Sequence, residues 1–304
     1  MSLTDILIQQ LVNGLVLGSF YALVALGYTM IFGVIKLLNF AHGDIYMVGA
    51  FVGFGALSLV SGTIGAGWMG IFVAMFVAMI AVGFLGVVIE QVAYRPMLSA
   101  PRLSILITAL AVSLVLQNAA LALTDGQVTA FRTDLGFGGV SLGAVFVNYT
   151  QIVLVASAIV LMIGLELFVS RTMYGKAMRA VSLDKDMCRL MGINVQRVIA
   201  VTFFAGSALA AAAGVMAGVQ YGRIWYFMGF LIGLKAFTAA VIGGIGSITG
   251  AMLGGLILGL LEAFATQIPH IGGEWKDVFT FGVLILVLVF KPTGLLGKSE
   301  VERM

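Results

Sequence analysis

A lysine, an asparagine, a histidine and an aspartate interrupt an otherwise apolar stretch: Lys36, Asn39, His42 and Asp44 in "VIKLLNFAHGDIYMVGAF". Asp44 has the right type and place to cap the helix that follows, where its charge meets the positive helix end. Asn39 and His42 can pair backbone groups freed by a break in a helix. A second interruption, "VIGGIGSITGAMLGG", contains Gly243, Gly244 and Gly246 and no ionisable residue. Gly-interrupted apolar segments in corresponding places of two halves mark discontinuous helices at a transport path. Irregular backbone at membrane depth is tolerated only where it is buried in protein or lines water. On this reading Asn39, His42, Asp44, Gly243, Gly244 and Gly246 border a substrate path. The competing reading makes the first break a turn at the membrane surface with Asp44 as an ordinary cap, and the residues leave both open.

Other chemistry is thin. Two histidines, His42 and His270, lie in separate elements with no ligand spacing around either, and Cys188 is the single cysteine. Neither a metal cluster nor a nucleophile–base arrangement is expected from them, so the chain is read as non-catalytic and without a cofactor of its own. The phosphate-loop look of "GLLGKS" at 294–299 fails, because only Leu295 and Leu296 separate its glycines where four residues are needed. Lys235 and Glu262 fall inside apolar segments, where ionisable groups default to function, although each is near enough to an end to reach the interface. Glu90 and Glu166 sit near segment ends and read as interfacial.

The elements that must position these residues are membrane helices. The chain has 304 residues, 61% hydrophobic and 10% charged, against about 25% charged in soluble domains. Its mean hydropathy is +1.14. Apolar segments run at 6–35, 39–61, 69–92, 103–123, 151–169, 198–219, 230–246, 248–267 and 277–290. Basic residues cluster in loop 170–197 and at Arg95, Arg102, Lys291, Lys298 and Arg303, which assigns those stretches and the C-terminus to the cytoplasm. The other loops and the start "MSLTD" are then external. That threading needs nine crossings, or eight if 230–267 is one long or re-entrant element. Four segments precede the central helix 151–169 and four follow it, entering from opposite sides. The expectation is an all-α polytopic membrane protein, one domain of two inverted-topology halves, 6–123 and 198–291. External loop 124–150, with Gly turns and alternating stretches, is expected to form a small hairpin. Pairs such as Gly14 and Gly18, Gly49 and Gly53, and Gly255 and Gly259 have the spacing of close helix packing.

In loop 170–197, "SRTMYGKAMRAVSLDKDMCRLMGINVQRV", Ser182 is placed to cap a short helix beginning near Leu183 and ending at Gly192. Met187, Leu190 and Met191 make an apolar stripe on it. The stripe suits a partner's groove or the lipid surface, and pattern alone does not separate them.

"NFAHGD", then "YGKAMRAVSLDKDMCRLMGIN", then "VIGGIGS", in that order along the whole chain, resemble the branched-chain amino acid ABC transporter permeases, of the LivH type. More loosely the chain is similar to ribose-type sugar permeases and urea permeases. The resemblance implies a bacterial inner-membrane importer subunit using alternating access. It implies as partners a second, LivM-like permease, two cytosolic ATPase subunits that use ATP and Mg, and a periplasmic amino-acid-binding protein. It implies that the loop helix is a coupling helix seated on an ATPase, with Tyr174, Gly175, Arg179, Asp186, Met187, Leu190, Met191 and Gly192 at the contact. A permease for urea or amides, or an ion-coupled secondary transporter, is the alternative.

Overall fold

The computed structural model describes residues 3–97, 100–136, 138–143, 145–267 and 273–297. His270, Lys298, Ser299 and Arg303 lie outside them. The helices are α1 (Leu3–Ile35), α2 (His42–Ile64), α3 (Trp68–Ile89), α4 (Arg102–Thr124), α5 (Tyr149–Arg171), α6 (Met173–Leu183), α7 (Lys185–Leu190), α8 (Val195–Tyr221), α9 (Met228–Gly243), α10 (Ile248–Ala265) and α11 (Lys276–Phe290). Four short strands, β1 (Thr129–Ala130), β2 (Gly139–Leu142), β3 (Val145–Asn148) and β4 (Arg223–Ile224), and three short helical turns, a π turn at Glu90–Tyr94 and 3-10 turns at Arg95–Met97 and Gly273–Trp275, complete the described elements. Among the described residues seven helices, α1 to α5, α8 and α10, are long and apolar enough to cross a membrane; α9 and α11 have 16 and 15 residues. The chain is therefore an all-α polytopic membrane protein with a small β decoration.

α1 and α8 are the central pair, because small residues let neighbours close on them. β-carbons added at Gly14 or Gly18 would meet the α10 backbone at Leu260 and Leu256, and ones at Gly255 or Gly259 would meet α1 at Ala22 and Gly18. Gly49 presses on the Ala211 backbone of α8, and Gly53 on the Val215 side chain. In lipid, where apolar burial offers no preference for protein over acyl chain, such close approach is what holds helices together.

The packing repeats itself. α1 packs on α10 as α8 packs on α3, α2 on α8 as α9 on α1, α2 on α3 as α9 on α10, and α2 on α4 as α9 on α11. The pairs α1–α8 and α2–α9 map onto themselves. Exchange of α1–α4 with α8–α11 thus preserves these contacts, as two inverted halves require. At the α2–α9 crossing the relation is reciprocal: a β-carbon at Gly43 would strike the Gly229 carbonyl, and one at Gly229 would strike the Gly43 carbonyl. The axis of the repeat passes here.

Loops expected on one face do meet. β1 pairs antiparallel with β4, joining the loops after α4 and α8. The Asp134 N–H donates to the Ala66 carbonyl, and the Phe146 N–H to Gln9 Oε1 at 3.1 Å, bringing the α2–α3 loop and the start of α1 to the same face. The expected hairpin is β2–β3, with Val140 opposite Val147. At the other face the Leu295 and Leu296 N–H groups donate to the carbonyls of Ile242 and Gly243, so the C-terminal segment clasps the α9–α10 turn.

Candidate transport site and docking helix

The first break is not a surface turn. α1 ends at Ile35, Lys36 turns the chain with φ 59°, and α2 begins at His42. His42 lies against Gly27 and sets its ring 4.9 Å from that of Tyr28, edge-on. Eight residues separate Gly27 from Ile35, so at about 1.5 Å per residue the chain climbs back roughly 12 Å into the bundle before α2 starts. Asp44 meets α4 at Ser113 and Gln117, halfway along that helix. α2 therefore starts at depth, buried from Ala41 through Met47.

Its polar side chains find other partners than expected. Asp44 does not cap α2; Ala41 occupies that position without a side-chain bond, and Asp44 sits in the first turn. Its carboxylate accepts from Ser113 Oγ at 2.5 Å and Gln117 Nε2 at 3.0 Å, because α4 passes close enough to satisfy it. Asn39 accepts from the Tyr94 hydroxyl at 2.5 Å, while its Nδ2 and both ring nitrogens of His42 meet no hydrogen-bond geometry among the described residues; the Val24 carbonyl is the backbone group His42 faces. Neither side chain pairs a freed backbone group. Asn39, His42 and Asp44 are each no more than 1% exposed.

The second break is a hairpin turn between two helices. Gly250 packs on Gly243 and Gly254 on Ala239, the pairing of antiparallel neighbours. Gly244 (φ 106°) and Gly246 (φ 93°) adopt conformations that side chains disfavour, and Ser247 caps α10 by accepting from the Gly250 N–H at 3.1 Å. The counterpart of the first break is instead 222–228, where the chain re-enters from β4 to start α9 against Gly43 and Asp44. Hydropathy and charge alone place that stretch in an external loop.

Gly246 does border space. A cavity of about 670 Å³ is walled by the last turns of α1 and α5, by α6 and by the α9–α10 turn. Thr29, Lys36, Glu166, Arg179, Ser182 and Thr249 bring polar groups to it. Gly244 lies against Leu296 and Gly297 of the C-terminal segment, whereas Gly243 packs on Gly250 of α10 and its carbonyl accepts from the Leu296 N–H.

At the opposite face lies a cluster that single-residue reading missed. Lys235 Nζ is 2.7 Å from Glu262 Oε1 and 2.7 Å from Asp277 Oδ1, the latter not aligned as a hydrogen bond. The Tyr21 hydroxyl donates to Glu262 Oε2 at 2.7 Å, and Lys276 stands 3.9 Å from Oε1. The signal was present: opposite charges on consecutive helices that pack together. Exchange of the halves carries this α9–α11 bridge onto the α2–α4 bridge of Asp44.

The loop 170–197 forms two helices. α6 is capped by Thr172, whose hydroxyl accepts from the Gly175 N–H at 3.1 Å, and Gly175 is buried against the Val169 backbone. Arg179 Nη1 donates to the Val169 carbonyl, tying α6 to α5. α7 is capped by Asp184, which accepts from the N–H groups of Asp186 and Met187, each at 2.9 Å. Ser182 is not the cap; it ends α6, its hydroxyl donating to the Arg179 carbonyl. Gly192 (φ 81°) closes α7 as expected. Burial, with Arg189 beside it, pulls the Lys185 ammonium below its usual range, and Asp186 offsets part of that. Asp186 pairs with Arg189 at 3.0 Å in the open. Met187, Leu190 and Met191 are 55%, 82% and 78% exposed, and Tyr174 is exposed on α6. An unburied apolar stripe on a capped helix can cover itself only against something outside this chain.

Comparison with known proteins supplies the context. A family model described as branched-chain amino acid transport system / permease component matches residues 10–288. The high-affinity branched-chain amino acid transport system permease protein BraD of Pseudomonas aeruginosa is 48% identical over 308 residues, 98% of each chain. The corresponding LivH of Escherichia coli is 44% identical over 303 residues, 98% of this chain and 97% of that one. The xylose transport system permease protein XylH of Haemophilus influenzae is 28% identical over 175 residues, 53% of this chain and 46% of that one.

Proposed function

This chain belongs to the permease-component family of branched-chain amino acid transport systems, and on that premise we propose that it is the transmembrane subunit of an ATP-driven importer of branched-chain amino acids. The observation that carries the reading is the near-full-length identity to BraD and LivH. Two features of the fold support it. The axis between the halves is closed by backbone contact at Gly43 and Gly229, so a path through this chain alone has no room there. A second permease, LivM-like, would supply the other wall. The bare stripe on α7 suits a groove on an ATPase subunit, so that Mg-ATP is bound and hydrolysed on two partner chains.

In this reading a periplasmic binding protein delivers substrate at the face of β1–β4. ATPase closure moves α6 and α7 through Tyr174, Gly175, Arg179, Asp186, Met187, Leu190, Met191 and Gly192, and the halves rock to give alternating access. Asn39, His42 and Asp44 act on the path by holding the re-entrant start of α2, while Gly243, Gly244 and Gly246 shape the turn beside the cavity. The chain lies in a bacterial inner membrane with its C-terminus in the cytoplasm.

Reconstitution tests this. The chain alone should hydrolyse no ATP; with its sister permease, two ATPases and the binding protein it should couple hydrolysis to leucine uptake. Leucine uptake by this chain alone on a proton or sodium gradient would defeat the proposal.

A further inference from the structure

The space between α1, α5, α6 and the α9–α10 turn is lined by one carboxylate without a partner among the described residues, by two exposed cations and by several neutral polar groups. Glu166 is half-buried on α5 and makes no hydrogen bond or ion pair among the described residues. Arg179 lines the same space with one N–H committed to the Val169 carbonyl, and Lys36 adds a second cation at the rim. The first turn of α10 borders the cavity at Ile248 and Thr249; Ser247 caps Gly250, and the amides ahead of Gly250 have no partner within the helix. Thr29 also lines the cavity, and its hydroxyl is buried without a partner. The remaining walls are aliphatic, among them Met30, Val34 and Met178.

A half-buried carboxylate without a partner among the described residues, an exposed guanidinium beside a helix N-terminus, and an aliphatic wall match the three parts of an apolar amino acid. We propose that this cavity is a subsite for the transported amino acid as a zwitterion. Its carboxylate lies between Arg179 and the start of α10, its ammonium on Glu166, and its branched side chain on Met30, Val34 and Met178. The assignment rests on the transport function proposed above. A volume of about 670 Å³ holds the amino acid with accompanying water, which suits a site of release rather than tight capture. An aminophospholipid headgroup carries the same two charges, but four elements wall this space rather than two helices forming a furrow toward lipid.

The test uses the complete permease–ATPase complex in nanodiscs, without binding protein, and a diazirine analogue of leucine as photoprobe. Label should fall in peptides covering 29–36, 178–183 or 245–249. Leucine should suppress it; isocaproate, which lacks the amino group, and leucinamide, which lacks the carboxylate, should not. Loss of one charge-assisted contact predicts about a tenfold drop in labelling for Glu166→Gln, and in that variant isocaproate should compete as well as leucine. Arg179→Gln should make leucinamide the equal of leucine. Label elsewhere, an unchanged competition order in Glu166→Gln, or an aminophospholipid retained in the cavity by native mass spectrometry overturns the subsite. Binding-protein-dependent uptake without cavity label sinks the subsite alone; absence of leucine uptake in the full system sinks the transport reading beneath it.

Discussion

Lys235 is 2.7 Å from carboxylate oxygens of both Glu262 and Asp277 while only about 4% of its surface is exposed. Breaking a buried ion pair from one side strands the other charge and costs about 3–5 kcal/mol, whereas replacing both partners with apolar groups is often near neutral. Lys235→Met should fall toward the lower end of that range, because Lys276 stands close enough to answer part of the Glu262 charge. Lys235→Met combined with Glu262→Gln, which removes the stranded charge but keeps an acceptor for the Tyr21 hydroxyl, should be more stable than Lys235→Met alone. Thermal unfolding in detergent checks this, and a double variant worse than the single one would show that the two charges do not depend on each other. Asp44 poses a different problem, since its partners are neutral donors. Asp44→Leu strands the Ser113 and Gln117 donors and removes a charge from the first turn of α2, a loss of about 2–3 kcal/mol. Asp44→Asn keeps an acceptor and should lose less than half of that. Uptake then separates packing from transport: an Asn variant that assembles fully and transports normally would remove any need for the charge itself.

At the scale of elements, α7 should act as the docking surface. A charge at Leu190 would enter an apolar groove unpaired. Leu190→Glu should therefore leave insertion and pairing with the sister permease intact, while the ATPases co-purify poorly and stimulated hydrolysis falls. Full ATPase recovery would favour a helix resting on lipid. Asp184→Ala removes the cap and about 1 kcal/mol of α7 stability, so it should lower hydrolysis less than Leu190→Glu does. The stripe was legible because 3.6-residue periodicity survives in a helix of six residues bounded by a cap and Gly192. The cap was not, because Ser182 and Asp184 are both capping types two positions apart and only the end of α6 at Leu183 decides between them. The positions of the apolar helices were legible from hydropathy, although of the nine segments read only seven match helices long and apolar enough to cross a membrane among the described residues, α9 and α11 being shorter. Depth was not legible. The six residues between α1 and α2, or between α8 and α9, read alike at a surface or inside the bundle, so the re-entrant start of α2 and its counterpart before α9 appeared only once Gly43 was seen against Gly229.

That contact sets the prediction for the whole molecule. The two halves meet at their axis through backbone rather than side chains, with Gly43 also pressed on Gly233. Overpacking costs about 1–3 kcal/mol, and the upper end applies where the obstructing atoms are backbone that cannot change rotamer. Gly43→Ala and Gly229→Ala should each lose stability by that amount, and by similar amounts, because exchange of the halves carries one methyl onto the other. Gly55, on the exposed face of α2 with nothing near its missing β-carbon, is the control; Gly55→Ala should be neutral or gain up to about 1 kcal/mol from helix propensity. The double variant Gly43→Ala, Gly229→Ala carries the sharper claim. Once one methyl has forced α2 and α9 apart, the second finds part of its space already open, so the two losses should fall short of additive by more than the roughly 0.3–0.5 kcal/mol seen for independent sites. Strict additivity in thermal unfolding would mean that the two glycines report separate contacts, and that the pairing of α1–α4 with α8–α11 does not turn about this point.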